Sequence, residues 1–110
     1  MKILITGGCG FIGSHLVEFW QFPDVEVVIL DHRDPSPQLN GLKYTFIPGN
    51  VTNRYTVRRA LQGVDYVFHL AAKISVPESL DKPLDYYETN TLGTIIMLEE
   101  SEKANVKHFV

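Results

Sequence analysis

Cysteine is nearly missing: Cys9 is the only one in 110 residues. That excludes a disulfide framework and points to a reducing compartment, the cytoplasm. Long apolar runs are missing too, and a handful of residues falls far short of the ~20 needed to cross a bilayer. No membrane partner is expected. The N-terminus has one basic residue and a short apolar run that breaks into glycines, with no small-residue cleavage site, so it does not read as a secretory signal. Excess positive charge is also lacking. Ten Lys and Arg against 13 Asp and Glu leave a net charge of −3, the wrong sign for a nucleic-acid partner. The four histidines have neither metal-ligand spacing nor a Cys or acid cluster beside them, so no metal is expected. No repeat, linker or low-complexity tract divides the chain, and residues 1–110 read as one domain. A chain that is 45% hydrophobic and 21% charged has the makings of an ordinary packed core.

What is present is an alternation of strand and helix patterns. Lys2 to Thr6 is a short apolar run ending in glycines, a buried strand. Phe11 to about Gln21 reads as a helix with Ile12, Leu16, Phe19 and Trp20 on one face, stopped by Phe22-Pro23-Asp24. Val25 to Leu30 is β-branched and reads as a second strand. Asp31 to Leu42 holds Asp34-Pro35-Ser36-Pro37 and Asn40-Gly41, a loop. Tyr44 to Ile47 is a third strand. Asn53 to Gln62 is a short helix, capped by Asn53 or Thr52, with Val57, Ala60 and Leu61 inward and Gly63 at its end. Tyr66 to Leu70 is a fourth strand. Lys73, Ser75 and Ser79 follow it on the C-terminal side of the sheet, where substrates gather, and read either as a polar loop or as a segment near a ligand. Pro83 to Ala104 is the longest helix, with Leu84, Tyr87, Thr91, Ile95 and Leu98 as the stripe that would pack on a sheet. Asn105 ends it, and His108-Phe109-Val110 begins a fifth strand. Such alternation implies an α/β fold with right-handed crossovers: a Rossmann-type, doubly wound parallel sheet of about five strands in the order 3-2-1-4-5, three-layered and incomplete at its C-terminus.

Thr6-Gly7-Gly8-Cys9-Gly10-Phe11-Ile12-Gly13 lies where the first strand gives way to the first helix. A pyrophosphate needs close backbone approach, unpaired N–H groups and a positive dipole end, and a glycine loop opening a helix offers all three. Gly8, Gly10 and Gly13 fit one spacing of this fingerprint, and Gly7, Gly10 and Gly13 fit another. In both, Gly10 admits the phosphate and Gly13 lets helix and strand pack closely. Asp31 ends the second strand about 20 residues on, where a carboxylate accepts from adenosine ribose hydroxyls. It would repel a 2′-phosphate, which favours NAD over NADP. His32 and Arg33 beside it weaken that preference. Cys9 sits at a helix start, a place that favours thiolate.

These residues resemble the N-terminal part of the extended short-chain dehydrogenase/reductases, the nucleotide-sugar epimerase and dehydratase group. The resemblance runs along nearly the whole chain. It includes the glycine loop continued through Ser14-His15-Leu16, Asp31, Gly49-Asn50-Val51-Thr52-Asn53, His69-Leu70-Ala71-Ala72, and Pro83 to Asn90 with Leu92-Gly93-Thr94. It implies NAD as cofactor. Phe11 and Ile12 would then lend amides to the pyrophosphate, and Asp31 and His32 would stand at the adenosine ribose. Asn50 and Val51 would meet the adenine, Leu70, Ala71 and Ala72 would line the path to the nicotinamide, and Thr89 or Asn90 would approach its far half.

Two departures stand out. The family usually has Asp at the position of Asn50, so weaker adenine binding is expected, and Asn53 reads better as a helix cap. The family's catalytic Ser or Thr and its Tyr-x-x-x-Lys have no counterpart. Tyr55 with Arg59 has the nearest spacing, and Arg is too basic for the lysine's work. No catalytic residue is therefore assigned, the substrate domain is absent, and a sugar nucleotide becomes a partner only if further chain supplies the rest. The readings left open are the NAD-binding portion of such an enzyme, a dinucleotide-binding module without turnover, and a truncated remnant that persists as an oligomer. A homo-oligomer is expected through the long helix, with Ile96 or Met97 at or near the contact.

Overall fold

The computed structural model describes all 110 residues. Strands β1 (Lys2–Thr6), β2 (Glu26–Asp31), β3 (Thr45–Pro48), β4 (Tyr66–His69) and β5 (His108–Phe109) form one sheet in the order β3-β2-β1-β4-β5. Every pairing is parallel. This is the doubly wound arrangement expected. No helix is long and apolar enough to cross a membrane.

Strand register sorts the apolar residues by parity. Leu4 pairs with Val28 on one side and Val67 on the other, and these point to the face covered by α2 (Arg54–Ala60) and α5 (Gly93–Lys103). There they meet Val57, Ala60, Leu61, Ile96 and Met97. Ile3, Ile5, Val27 and Ile29 point to the opposite face, against Val17 of α1 (Phe11–Phe19) and Leu39 of a single 3-10 turn, Pro37–Leu39. Asn53 caps α2, its side chain accepting from the Thr56 amide. Beyond α2, Gly63 takes a left-handed φ of 72°.

The expected face of α1 and the expected loop after β4 are both corrected. On α1 the sheet-facing residues are Gly13, Ser14 and Val17, with Leu16 and Trp20 half-buried. Ile12 and Phe19 are exposed, because the small pair at 13 and 14 brings the start of the helix down onto the loop and turns its bulky neighbours outward. The segment after β4 is no plain loop: Val76–Asp81 is a helix, α3, whose Ser75 cap accepts from the Glu78 amide. Ser75-Val76-Pro77-Glu78 has the S-x-x-E pattern of a capping box, with Pro in the first turn.

The long helix is composite. α4 (Pro83–Tyr86) runs through a wide π-type turn, Tyr87–Leu92, into α5. The stripe that packs is Gly93, Ile96, Met97, Glu100 and Ser101, while Leu84, Tyr87, Leu92, Ile95 and Leu98 stay exposed. Hydrophobicity alone favoured the wrong stripe, since the buried one contains a charge. Glu100 is only 2% exposed. It is met by Arg58, by Arg54 at 3.5 Å and by Lys103 at 3.5 Å, so cations from α2 make its burial tolerable. Ile96 and Met97, at 5% and 0% exposure, are core residues and not contact residues.

Candidate functional site

At the carboxyl ends of the strands lies a cavity of about 780 Å³, within the range of small-molecule sites. The glycine loop, the end of β2, the segment after β3 and the segment after β4 all converge on it. Gly7, Gly10, Phe11, Ile12, Gly13, Asp31, His32, Asn50, Val51, Leu70, Ala71, Ala72 and Thr89 all line it. A shallower polar depression at the opposite ends of the strands, around Met1, Lys2 and Asp65, gathers no comparable set.

The glycine loop is built for close approach. Gly7 has φ +71°, and a Cβ there would lie 2.9 Å from the Leu70 carbonyl carbon. The turn is thus glycine-specific both in conformation and in space. A Cβ on Gly13 would run into the Gly7 carbonyl oxygen and come within 2.7 Å of Gly8 Cα. Gly10 caps α1 with no side-chain help. The Phe11 and Ile12 amides find no acceptor within the chain, so they are left facing the cavity mouth as donors for an anion.

Asp31 is more occupied than its sequence position suggests. Its side chain is 2% exposed. Oδ2 accepts from the Cys9 amide at 3.0 Å and Oδ1 from the Arg33 amide at 3.0 Å. It therefore holds the glycine loop to the end of β2; Oδ1 also takes Arg33 Nε at 3.5 Å, which leaves a lone pair of Oδ2 as its open acceptor. The Arg33 guanidinium reaches back over Gly10, whose Cβ position lies 3.0 Å from Nη2, and His32 Nδ1 is 3.5 Å from Asp31. Cys9 is buried rather than poised. Burial, and then the Asp31 carboxylate, push its thiol up to about 11, which overturns the expectation of a stabilised thiolate.

After β3, Asn50 Oδ1 accepts from both the amide and the hydroxyl of Thr52, each at 3.1 Å. Its NH₂ is left as the outward group. Val51 is buried against Gly93, so only its backbone is offered to a ligand. Asn90 does not line the cavity. Its side chain accepts from the Lys73 amide at 2.8 Å and donates to the Lys73 carbonyl at 2.9 Å, bracing the segment after β4. Lys73 and Ser75 also line the cavity, with Leu30, Arg33 and Gly49 and with Ile74, Glu78 and Tyr86, which the sequence did not single out. The capping-box pattern at Ser75 was the signal that could have placed them.

Over residues 3–110 the chain matches the NAD dependent epimerase/dehydratase family. It is 38% identical to the UDP-glucose 4-epimerase of Lactobacillus helveticus, over 100% of this chain and 34% of that protein. It is 37% identical to the UDP-glucose 4-epimerase of Klebsiella pneumoniae, over 100% of this chain and 86% of that sequence. Among solved structures, the UDP-glucose 4-epimerase of Thermotoga maritima with UDP-glucose superposes with a TM-score of 0.88 at 36% identity, covering 99% of this chain and 36% of that one. The Thermus thermophilus enzyme in complex with NAD gives 0.86 at 34% identity, covering 99% and 36%. The chain spans about a third of the length of the Lactobacillus relative and of both solved enzymes. With the strand order, the glycine loop and the groove it opens onto, these matches place the chain in the NAD dependent epimerase/dehydratase family.

Proposed function

We propose that residues 1–110 are one NAD-binding domain, the cofactor-holding part of a nucleotide-sugar epimerase or dehydratase. The observation that carries this is the pair of unpartnered amides at Phe11 and Ile12 above a loop with no room for a Cβ at Gly7 or Gly13. Those amides would hold the pyrophosphate. Asp31 would hold the adenosine ribose, Asn50 and the Val51 backbone the adenine, and Leu70, Ala71, Ala72 and Thr89 the nicotinamide half. Bound NAD would supply a hydride acceptor for transient oxidation of a sugar carbon. The chain's own share is to bind and orient. None of its five tyrosines has Lys four residues on, and no residue here is given the role of base. A sugar nucleotide becomes a substrate only with residues beyond these. Without them the chain acts as a binding module.

The exposed residues Leu84, Tyr87, Leu92, Ile95 and Leu98 support self-association along the long helix. A single free cysteine, the buried Cys9, supports a cytoplasmic setting. Calorimetric titration of the chain with NAD tests the reading: saturable one-site binding is expected, and its absence at millimolar NAD overturns it. With NAD saturating, no epimerase turnover is expected on UDP- or dTDP-sugars. Turnover that survives repurification and disappears on mutating a residue of this chain would assign it the chemistry as well.

A further inference from the structure

We propose that His69 is the positioning residue of the groove: a neutral ring, with its proton on Nε2, that ties the root of the glycine loop to the groove floor and to the wide turn of the long helix. The assignment follows from counting donors. A threonine hydroxyl has one hydrogen and two lone pairs. Thr6 Oγ1 accepts from the Ala71 amide at 3.1 Å and shares the Leu70 amide, at 3.0 Å, with the Thr6 carbonyl, at 3.1 Å, so both lone pairs face amides. Its hydrogen can only go to His69 Nδ1, at 2.7 Å. Nδ1 is therefore an acceptor and carries no proton. The proton of the neutral ring is on Nε2, which donates to Thr94 Oγ1 at 3.0 Å, and Thr94 donates onward to the Asn90 carbonyl at 2.7 Å. The chain of bonds runs one way, from β1 through the ring to the π-type turn.

Nothing charged meets the ring. It packs against Thr6 from β1, Thr94 from α5 and Phe109 from β5, the last with ring centroids 5.8 Å apart. Burial alone holds its pKa below the ordinary histidine value.

Protonating Nδ1 would aim an N–H at an oxygen whose lone pairs are already filled. The hydroxyl would have to give up an amide: either Ala71 loses its acceptor, or Leu70 falls back on the Thr6 carbonyl alone. Both residues line the groove, and both lie within about 3 Å of where a Gly7 Cβ would sit. Release at the floor thus reaches the glycine loop directly. At the far end, Asn90 clamps Lys73. One ring orders the segments around residues 6, 70 and 90, and it touches no ligand itself.

This inference rests on the dinucleotide reading for its consequence and not for its geometry. Nitrogen-15 NMR of the whole chain at pH 7.5 should show His69 with Nε2 protonated and Nδ1 bare. A protonated Nδ1 overturns the proposal. NAD affinity should hold down to the ordinary histidine value of 6.5 and fall only below it, approaching tenfold per pH unit once His69 titrates. Protonating His32 at the groove edge would have the opposite sign, since it adds a cation beside an anionic ligand. His69→Asn keeps an acceptor for Thr6 without titrating, and should flatten the profile. NAD binding that does not change with pH overturns the role given to His69 and leaves the dinucleotide reading standing. Absence of NAD binding at every pH overturns the dinucleotide reading and, with it, the function given to the ring.

Discussion

Replacing Gly13 with alanine tests the loop at its tightest point. The new Cβ would sit 2.7 Å from Gly8 Cα and still closer to the Gly7 carbonyl oxygen, where ordinary contact begins near 3.4 Å. Both neighbours are backbone, so no side chain can swing away. The start of α1 must back off by about 0.7 Å from Gly8 Cα and by more from the Gly7 oxygen, or the loop must open by as much. Overpacking of this kind costs about 1–3 kcal/mol, against a gain of ~1 kcal/mol from alanine's helix propensity. A net loss of up to about 2 kcal/mol follows, read as a urea midpoint lowered by up to roughly 1 M. The same displacement moves the Phe11 and Ile12 amides off their target, and NAD affinity should fall by at least about tenfold. Gly41→Ala is the control: it has nothing within 4 Å, and carries only the strain of φ +81°, about 1 kcal/mol, with affinity unchanged. An alanine at 13 that leaves both the midpoint and the affinity unaltered would refute the claim that helix and loop touch here.

Asp31→Ala removes the acceptor of the Cys9 and Arg33 amides and should cost about 1–3 kcal/mol in denaturation experiments. It should also narrow the preference for NAD over NADP in calorimetry, and a wild-type preference for NADP would transfer the specificity to Arg33. Leu98→Asp, on the exposed side of α5, should turn a dimer into a monomer in light scattering with the fold intact. A wild-type chain that is a clean monomer at high concentration refutes self-association. Glu100 is held below the usual carboxylate range by its bond to Arg58, and Asp65 by its bond to the Lys2 amide. Their folded pKa values are depressed, so their stabilisation is complete above the ordinary values of 4.5 and 3.8 and is lost as pH falls through the lower folded ones. An acid-unfolding curve of Glu100→Gln should be shallower below pH 4.5 than that of the wild type, and identical curves would contradict the buried clasp.

The sheet order and the glycine loop were legible because local chemistry and global fold agree in them. β-branched runs make buried strands, and the glycines sit where strand becomes helix. Thirteen of the 14 residues expected at the groove line it. What failed to show was long-range. The packing stripe of α5 includes Glu100, which no hydropathy pattern places inside; its burial depends on Arg54 and Arg58, more than 40 residues earlier. The π-type turn adds a residue to the helix and shifts its phase, so that a stripe drawn through Leu84 and Tyr87 does not continue onto the sheet. Asn90 reads as a ligand residue in one dimension and as a brace for Lys73 in three. His69 shows nothing unusual until Thr6, distant by 63 residues, is set beside it.

The alternation of β1 and β2 between two separate cores bears on which changes of length this chain tolerates. Leu4 and Val28 belong to one core, Ile3, Ile5, Val27 and Ile29 to the other, and the strand backbone stands between them. One residue gained or lost inside either strand would exchange the two memberships from that point on, and every downstream side chain would face the wrong helices. Insertions and deletions are therefore confined to connections such as the stretch between β2 and β3, while the strands behave as rulers of fixed length. Point substitutions obey a different rule. Val17 and Met97 lie on opposite sides of the sheet and share no partner, so changes at the two positions should be nearly additive, each core drifting in volume without compensation from the other.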